Sequence, residues 1–458
     1  MRALLLLPVL VACRTVSADS GAEDPARPDI VLVLADDLGY ADLGFTGCAD
    51  IPTPAIDRLA AGGVVCTDAH VTASVCAPSR AGLLTGRYQQ RQGFEQNLRE
   101  PGLLEGTTTF AQGLQAAGYR TALVGKWHLG GQTYNHPLEM GFDHFTGLLS
   151  GSRSYFPLTE SPPGRTKRIE RDREVIDEAS FDYVTDLFTD EAVGLVGSTP
   201  PDQPLFLFVA YTTPHTPMHA RPDLEERFAH LEDPRRRRYA ALVASLDEGV
   251  GRLDAALAER GRDALFVFLS DNGGATNNGS DNGPWRGMKG SKWEGGHRVP
   301  FVLRWPGRLA PGTFDEPVSS LDLAATFLAA GRAEPDPEAD GLALLPHLDL
   351  GTRPHGRLFW RRGVAAAARE GDWKLVRVEA RPGVLAPPIL VDLATDPGET
   401  TDRAADEPAR VAHLTALLEA WEDELLPSRW QTGEVWRENQ RAKHRMDLIG
   451  REAERDLP

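Results

Sequence analysis

The sequence predicts an α/β fold in which helices flank a doubly wound, mostly parallel sheet, followed by a smaller C-terminal antiparallel-sheet subdomain. Apolar runs without polar alternation, at residues 29–37 and 264–272, are typical of strands buried on both faces. Amphipathic helical segments alternate with such runs, as they do in a doubly wound sheet. After about residue 345 the runs become short and follow one another at hairpin spacing, which indicates a separate antiparallel sheet.

The individual elements follow from periodicity and from helix start and stop signals. In the first region we expect strands at 29–37, 64–71, 121–124, 204–210 and 264–272, and helices at 54–59, from Cys76 onward, and at 107–117, 181–196 and 236–260. In the second region we expect strands at 358–361, 364–368, 373–378 and 389–393, then a helix at 408–425. Residues 150–175 are rich in Ser, Pro and Arg and predict a long surface loop.

Composition divides the chain into four parts. Residues 1–18 have a basic start and an apolar core that is too short to span a bilayer, which predicts an export signal. Two kinds of processing compete, namely cleavage after Ala18 and a lipobox that would leave a lipid-anchored Cys13. The large α/β domain is expected at 27–345, the antiparallel subdomain with its helix at 346–430, and a charged tail at 431–458.

The balance of charge limits the partners. A net charge of −17 argues against nucleic acid, and it means that any anionic substrate must bind in a local cationic pocket. Lysine is rare, since it supplies only six of the 49 cations. A Lys within a motif is therefore expected to be there for its compact ammonium group.

One cysteine calls for an explanation. Cys48 and Cys66 could form a disulfide in an oxidising compartment, or both could be free thiols, but Cys76 is left over in either case. Pro78 suits a first helical turn, so Cys76 is expected at a helix N-terminus, where unpaired N–H groups favour an anion. Arg80 lies one turn further on and can face the same anion. The alternative is a buried structural thiol.

Two apolar strands that lie far apart in the sequence are each followed by acidic or amide side chains. Asp36 and Asp37 end the first strand, and Asp271 and Asn272 end the last. If the two strands are neighbours, these oxygens converge at the carboxyl edge of the sheet, where α/β proteins bind ligands. An all-oxygen set suits Ca²⁺ or Mg²⁺. The alternative is that these residues only form turns or caps.

Four further side chains are candidates for chemistry because they follow strands or lie in glycine-rich segments: Lys126, His128, His215 and Lys289. A single His is more often structural than catalytic. The segment 287–300, which holds Lys289, could equally be a flexible surface loop.

Together these residues resemble one family. Cys76-Ala-Pro-Ser-Arg80, followed by Leu84-Thr-Gly-Arg87, is similar to the signature of formylglycine-dependent, Cys-type sulfatases of the alkaline phosphatase superfamily. The acidic pairs and the segments 125–130, 214–217 and 287–300 match other blocks of the family in the same order. The resemblance is strong over residues 28–305 and continues more weakly to about residue 425.

This resemblance implies a reaction. Cys76 would be converted to formylglycine by a separate maturation enzyme, and one hydroxyl of the hydrated aldehyde would attack the sulfur of a sulfate ester, giving a covalent sulfoenzyme. One Ca²⁺ ion, or Mg²⁺, would be held by Asp36, Asp37, Asp271, Asn272 and the residue at position 76. Arg80, Lys126 and Lys289 would stabilise the nucleophile and the sulfate. His215 would protonate the leaving alcohol and His128 would orient or deprotonate the nucleophile, although these two roles could be exchanged.

The substrate class follows from a further resemblance. Residues 141–156 look like the corresponding block of arylsulfatases and N-acetylgalactosamine sulfatases, which implies a sulfated carbohydrate such as a glycosaminoglycan or algal polysaccharide fragment. Sugar contacts are expected from His136, Arg153, Tyr155 and Trp285. Contact with a membrane is expected only if Cys13 is lipidated.

Two alternatives stay open at this point. A phosphomonoester or phosphonate monoester hydrolase of the same superfamily could use the same pocket. If Cys76 is left unmodified, the protein could bind a sulfated glycan without catalysis.

Overall fold

The large central sheet has ten strands. The computed structural model describes residues 27–97, 102–159, 167–430 and 432–446. The strands of this sheet are β1 (Asp29–Ala35), β2 (Val64–Cys66), β4 (Arg120–Lys126), β5 (His144–Leu148), β6 (Glu170–Arg171), β7 (Glu174–Val175), β8 (Leu205–Ala210), β9 (Ala264–Ser270), β10 (Phe301–Arg304) and β11 (Gly312–Phe314). Their order is β11-β2-β10-β9-β1-β8-β4-β5-β6-β7. A separate pair is formed by β3 (Ala69–His70) and β12 (Val318–Ser319).

Strand β1 lies at the centre of the sheet and every residue in it is buried. It pairs in parallel with β8 on one side and with β9 on the other. Its uninterrupted apolar sequence fits this position, because both of its faces pack against helices. The predicted α/β fold class, with a mostly parallel sheet, is confirmed.

Helices cover both faces of this sheet. They are α1 (Pro54–Ala61), α2 (Cys76–Thr85), α3 (Phe110–Ala116), α4 (Val184–Ser198), α5 (Pro222–Arg227), α6 (Pro234–Arg260), α7 (Glu294–His297), α8 (Asp322–Ala330) and α9 (Leu344–Leu350). Thr109 caps α3 in a reciprocal arrangement with Gln112, as the sequence pattern indicates. All ten residues of α2 are buried, so the helix that begins at Cys76 lies inside the molecule.

Three sequence predictions need correction. The expected strand at 64–71 is two short strands, β2 and β3, that belong to different sheets. Part of the expected loop at 150–175 forms the hairpin of β6 and β7, which extends the edge of the central sheet. The segment 287–300 is not a flexible surface loop, because Ser291, Lys292 and Trp293 are buried.

The C-terminal sheet is antiparallel throughout, as predicted. Its strands are β13 (Arg357–Arg362), β14 (Ala365–Glu370), β15 (Trp373–Arg381), β16 (Val384–Leu385) and β17 (Ile389–Asp392), and α10 (Pro408–Glu422) packs on it. Tyr88 from the larger region belongs to the same apolar core as this sheet. The indole N–H of Trp360 also donates to the carbonyl of Val71 at 2.8 Å. The two regions are therefore packed together.

The segment after residue 430 docks firmly against the larger region. Helix α11 (Glu434–Ala442) is followed by His444, whose Nε2 accepts a hydrogen bond from the backbone N–H of Lys292 at 2.9 Å. The indole N–H of Trp293 donates to the carbonyl of Lys443 at 3.0 Å. The predicted export signal with Cys13, and residues 447–458 of the predicted tail, lie outside the described residues.

The cysteines of the described ranges, Cys48, Cys66 and Cys76, are all free. The thiol of Cys48 lies 3.1 Å from Asp50 Oδ1, whereas Cys66 is buried in β2. Of the two possibilities for Cys48 and Cys66, the structure shows the free thiols. Among the described helices, none combines the length and the apolarity needed to cross a bilayer.

Candidate active site

The two acidic pairs meet at the carboxyl edge of the central sheet. In the parallel pairing of β1 with β9, Ala35 lies opposite Ser270, so Asp36 and Asp271 leave the sheet side by side. The backbone of Asp37 has φ 64°, which is a left-handed conformation that an Asp tolerates better than most residues. The amide of Asn272 donates to Asp37 Oδ1 at 2.7 Å. The expected convergence of these four side chains is therefore observed.

Cys76 stands directly against this cluster. It is the first residue of α2, as the sequence predicts, and it is fully buried. Its Sγ lies 3.4 Å from Asp36 Oδ1 and 3.9 Å from Asp37 Oδ1. A side chain at position 76 can therefore share a cation with the carboxylates.

Each carboxylate has its own cation. Lys126, the last residue of β4, places Nζ 2.6 Å from Asp36 Oδ2. Lys289 donates to Asp37 Oδ2 at 2.7 Å, and its Nζ is 3.2 Å from Cys76 Sγ. The Nε of Arg80 donates to Asp271 Oδ2 at 2.9 Å, so a buried pocket of three acids and three bases surrounds the sulfur atom.

The electrostatics of the pocket favour a negative charge at position 76. Burial opposes ionisation of the thiol, but Lys126 and Lys289 outweigh burial and lower the pKa of Cys76 to about 6. At Asp271 the balance between burial and neighbouring charges is reversed. Burial, and then the charge of Asp36, raise the pKa of Asp271 to about 6, although Arg80 opposes the shift. Burial also raises the pKa of Asp36. At Asp37, by contrast, Lys289 and His215 outweigh burial and hold the pKa of that carboxyl well below its usual value.

These residues fit a hard divalent cation. Asp36, Asp37, Cys76 and His215 each place a ligand atom within 4.8 Å of the others, and Asp271 and Asn272 adjoin this group. The Oδ1 atom of Asn272 is buried and has no hydrogen-bond partner in the described part of the chain. Such an orphaned oxygen beside crowded carboxylates is what a bound Ca²⁺ or Mg²⁺ would satisfy.

Comparison with known proteins gives the family. The family model described as Sulfatase matches residues 28–332. Arylsulfatase A of Bos taurus is 33% identical over 92% of this chain and 94% of its own length. N-acetylgalactosamine-6-sulfatase of Mus musculus is 33% identical over 78% of this chain and 72% of its own length. The crystal structure of Ps i-CgsB in complex with k-i-k-neocarrahexaose has a TM-score of 0.83 at 32% identity, covering 92% of this chain and 99% of that one.

The chain belongs to the sulfatase family. It is a sulfuric ester hydrolase, and membership of the family implies a formylglycine and a divalent metal in the site. The signature cysteine that would be matured is Cys76.

The two predicted histidines of this sulfatase differ in their hydrogen-bond partners. His215 is partly exposed, and its Nε2 is 3.6 Å from Asp37 Oδ2 while its Nδ1 lies 2.6 Å from the carbonyl of Thr216. His128 is also partly exposed, but its Nδ1 is buried and has no hydrogen-bond partner in the described ranges. Burial, followed by the charges of Lys126 and Arg80, holds the pKa of His128 well below its usual value, so this imidazole is neutral.

Three of the four expected sugar contacts of the sulfatase are corrected by the structure. Tyr155 is 1% exposed, and its hydroxyl lies 2.6 Å from the carbonyl of Thr212 and 2.9 Å from that of His215. It therefore supports the segment that carries His215. His136 is buried against Glu170 at 2.6 Å, and Arg153 is buried in an ion pair with Glu178.

The expectation for Trp285 stays a prediction. Its ring is partly exposed, and the guanidinium of Arg298 lies over it at 3.8 Å from the ring centroid.

The sequence analysis missed two cations that border the site, Arg362 at the end of β13 and Lys443 after α11. The amine of Lys443 donates to the carbonyl of Lys289 at 3.3 Å. Both residues come from segments that were assigned to the subdomain and to the tail. The rarity of lysine is the only signal that could have pointed to Lys443.

Proposed function

We propose that the protein hydrolyses sulfate esters of carbohydrates and that the residue at position 76 is the nucleophile after conversion to formylglycine. The observation that carries this proposal is the contact of the residue at position 76 with two carboxylates and one lysine. A soft thiolate is a poor partner for a hard cation in such a group of oxygens, whereas an oxygen nucleophile is a good one. Conversion of Cys76 resolves that mismatch.

The residues of the pocket have separate roles in this proposal. Lys126 and Lys289 flank the nucleophile and hold the sulfate oxygens as negative charge shifts toward the bridging oxygen. Arg80 neutralises Asp271, since its Nε and Nη2 both lie 2.9 Å from Asp271 Oδ2, and its own position is fixed by donation from Nη1 to the carbonyl of Lys126 at 2.9 Å.

The histidines divide the proton transfers. His215 lies at the partly exposed side of the pocket, where the alcohol leaves, so it is proposed to protonate that oxygen. His128 is neutral and its Nδ1 is buried, so it is proposed to orient the nucleophile and take its proton.

The implied groups supply the remaining chemistry. When present, the formylglycine hydrate supplies an oxygen nucleophile and the divalent metal lowers its pKa as a Lewis acid. Asp36, Asp37, Asp271 and Asn272 are proposed to hold the metal together with the residue at position 76, and calcium is the ion we propose. For Asp271→Ala we expect loss of about one bound calcium per chain, measured by elemental analysis of protein equilibrated with calcium and desalted. Retention of a full equivalent would contradict this assignment.

Turnover of two aryl esters tests the activity. We expect faster hydrolysis of 4-nitrophenyl sulfate than of 4-nitrophenyl phosphate, and a loss of at least about 1000-fold in Cys76→Ala, in line with removal of a catalytic nucleophile. Faster phosphate hydrolysis would favour the phosphomonoester alternative. Activity retained in Cys76→Ala would refute nucleophilic catalysis at this position.

Whether Cys76 has been converted to formylglycine distinguishes an active enzyme from a protein that only binds its ligand. Peptide mass spectrometry across residues 71–88 of protein from the native host should show the mass of formylglycine. An unmodified thiol in that material would favour a protein that binds sulfated glycans without turning them over.

A sulfated glycan is the proposed substrate because the named relatives are sulfatases and one was crystallised with a carrageenan-type hexasaccharide. Export through residues 1–18 is proposed for the same reason, since such polymers are extracellular. Fractionation of host cells, followed by mass determination of the mature N-terminus, distinguishes a cleaved soluble protein from one that is lipid-anchored at Cys13.

A further inference from the structure

Two cations beside the catalytic pocket have no carboxylate partner in the described part of the chain. Arg362 is 6% exposed; its two terminal nitrogens donate only to amide oxygens, Gln440 Oε1 at 2.9 Å and Gln96 Oε1 at 3.1 Å. Its Nε is buried and has no hydrogen-bond partner among the described residues. The neighbouring Arg361, by contrast, pairs with Glu95 at 2.7 Å.

The second cation, Lys443, faces Arg362 across the bare backbone of Gly290. A Cβ built on Gly290 would lie 3.4 Å from Arg362 Nη1, 3.5 Å from Lys443 Nζ and 3.5 Å from Gln440 Oε1, with nothing closer. The structure therefore contains a small space lined by two cationic nitrogens and one amide. A turn of the Gln440 amide brings its NH₂ group to this space, and an anion there would replace Oε1 as acceptor for Arg362.

Burying a cation without an ion-pair partner costs free energy. Burial lowers the pKa of Arg362 to about 10 and, with the charges of Arg362 and Lys289 added, that of Lys443 to about 8. The chain has an excess of acidic residues, with a net charge of −17, yet neither cation forms an ion pair with a described carboxylate, and the more distant charges of Glu95 and Asp37 offset burial only in part. An external anion would remove this cost.

The space adjoins the catalytic residues directly. The amine of Lys443 donates to the backbone carbonyl of Lys289 at 3.3 Å, and the amine of Lys289 itself lies 3.2 Å from Cys76 Sγ. Lys289 is therefore in contact with both places. A sugar with its reacting sulfate at Cys76 would bring a neighbouring substituent toward Gly290.

We propose that Arg362, Lys443 and Gln440 form a second anion subsite, which binds a second negatively charged group, sulfate or carboxylate, on the same glycan. This inference rests on the proposed sulfatase function and narrows its substrate to sugars with at least two anionic groups. Charge-assisted hydrogen bonds to both cations make the subsite selective.

Matched ligands test the subsite. The probes are two matched pairs, a carrageenan disaccharide with one or with two sulfates and a monosulfated chondroitin disaccharide with its carboxylate intact or reduced, so that each pair compares one anionic group with two and the two pairs separate sulfate from carboxylate. The dissociation constant is measured on Cys76→Ala protein, which cannot turn over, and kcat/KM on matured wild-type protein. Variants Lys443→Gln and Arg362→Lys remove or reshape the subsite, and Arg445→Gln removes an exposed charge from the same segment as a control.

For at least one disaccharide, we expect the form with two anionic groups to bind at least about tenfold more tightly than the matched form with one, so that the ratio of their dissociation constants is at least about ten. One or two hydrogen bonds to charged groups would give a ratio of this size. Lys443→Gln should reduce that ratio to near one, Arg362→Lys should lower it, and Arg445→Gln should preserve it, at unchanged Tm. The subsite proposal is overturned if the forms with one and two anionic groups bind equally, or if the wild-type ratio of dissociation constants is retained in both Lys443→Gln and Arg362→Lys. If the ratio behaves as expected but wild-type protein with confirmed formylglycine hydrolyses no sulfate ester, the subsite stands and the proposed function fails.

Discussion

His128 is held in place by an unusual backbone conformation and by a glycine that faces its ring. Its φ is 61°, and a Cβ on Gly151 would come within 2.6 Å of its Cε1 and 2.7 Å of its Nε2. Gly151 therefore leaves the space that the imidazole occupies. Gly151 belongs to the block 141–156 but was not among the residues expected to form the site.

We expect Gly151→Ala to lower kcat of sulfate ester hydrolysis by about 100-fold, since displacement of a catalytic group by about 1 Å has effects of that size. The rest of the fold should be little affected, because the added methyl group meets a side chain rather than backbone. Gly356→Ala is the matched control, as nothing lies within 4 Å of its Cβ position. Steady-state kinetics and a thermal melt of both variants check the expectation, and an unchanged kcat would show that the position of His128 is unimportant.

At the scale of single residues, the sequence predicted the reactive side chains better than the residues that hold them in place. Asp36, Asp37, Asp271 and Asn272 could be found because apolar strands end at them, and parallel strands bring their ends together. Tyr155 was expected to contact sugar, yet it is buried and holds the His215 segment. Lys443 could not be assigned, because its place next to Lys289 depends on how a distant helix docks.

At the scale of elements, helix α8 depends on a buried carboxylate at its start. Asp322 accepts hydrogen bonds from the backbone N–H groups of Ser319 at 2.8 Å and Leu342 at 2.9 Å. His355 Nε2 lies 2.7 Å from the same carboxylate. Burial opposes protonation of His355, but Asp322 outweighs it and raises the pKa of the imidazole above 6.5.

A group whose pKa is raised on folding stabilises the protein at pH values below the pKa that the group has in the unfolded chain. This stabilisation is lost as the pH rises through the pKa that the group has in the folded protein. We therefore expect His355→Gln to cost roughly 1–2 kcal/mol at about pH 5.5 and less at about pH 9. Tm of the variant and of the wild type, measured across that range, gives the difference. His230→Gln, at an exposed position, is the control. A difference that does not shrink with rising pH would show that the His355 charge contributes nothing.

Helices and strands could be predicted from the sequence where buried residues recur with a simple period. The residues at which they begin and end could not. β1 and β9 are continuous apolar runs and were found, although each ends two residues earlier than predicted. The run at 64–71 is interrupted by Thr67 and Asp68, and the chain bends there so that its two halves join different sheets. Only the pairing partners β10 and β12 reveal this. Residues 170–175 pair as a hairpin at the sheet edge, where no buried face imposes a pattern.

At the scale of the whole molecule, a buried ionic cluster joins the C-terminal sheet to the segment that carries Lys289. Lys374 in β15 donates to Glu294 Oε1 at 2.8 Å and to Glu399 Oε1 at 2.9 Å, and all three side chains are fully buried. Glu294 begins α7, five residues after Lys289. The joint therefore links the stability of the second sheet to the geometry of the catalytic pocket.

We expect Lys374→Met to destabilise the protein by about 3–5 kcal/mol, because it leaves two buried carboxylates without their common cation. Arg357→Met, which removes an exposed partner of Glu370 on the same sheet, should cost no more than about 1 kcal/mol. Urea unfolding of both variants measures the difference. Since the cluster supports the Lys289 segment, Lys374→Met should also lose sulfatase activity at a lower urea concentration than that of global unfolding in the wild type. Equal effects of the two substitutions would mean that apolar packing, and not this ionic joint, holds the second sheet in place.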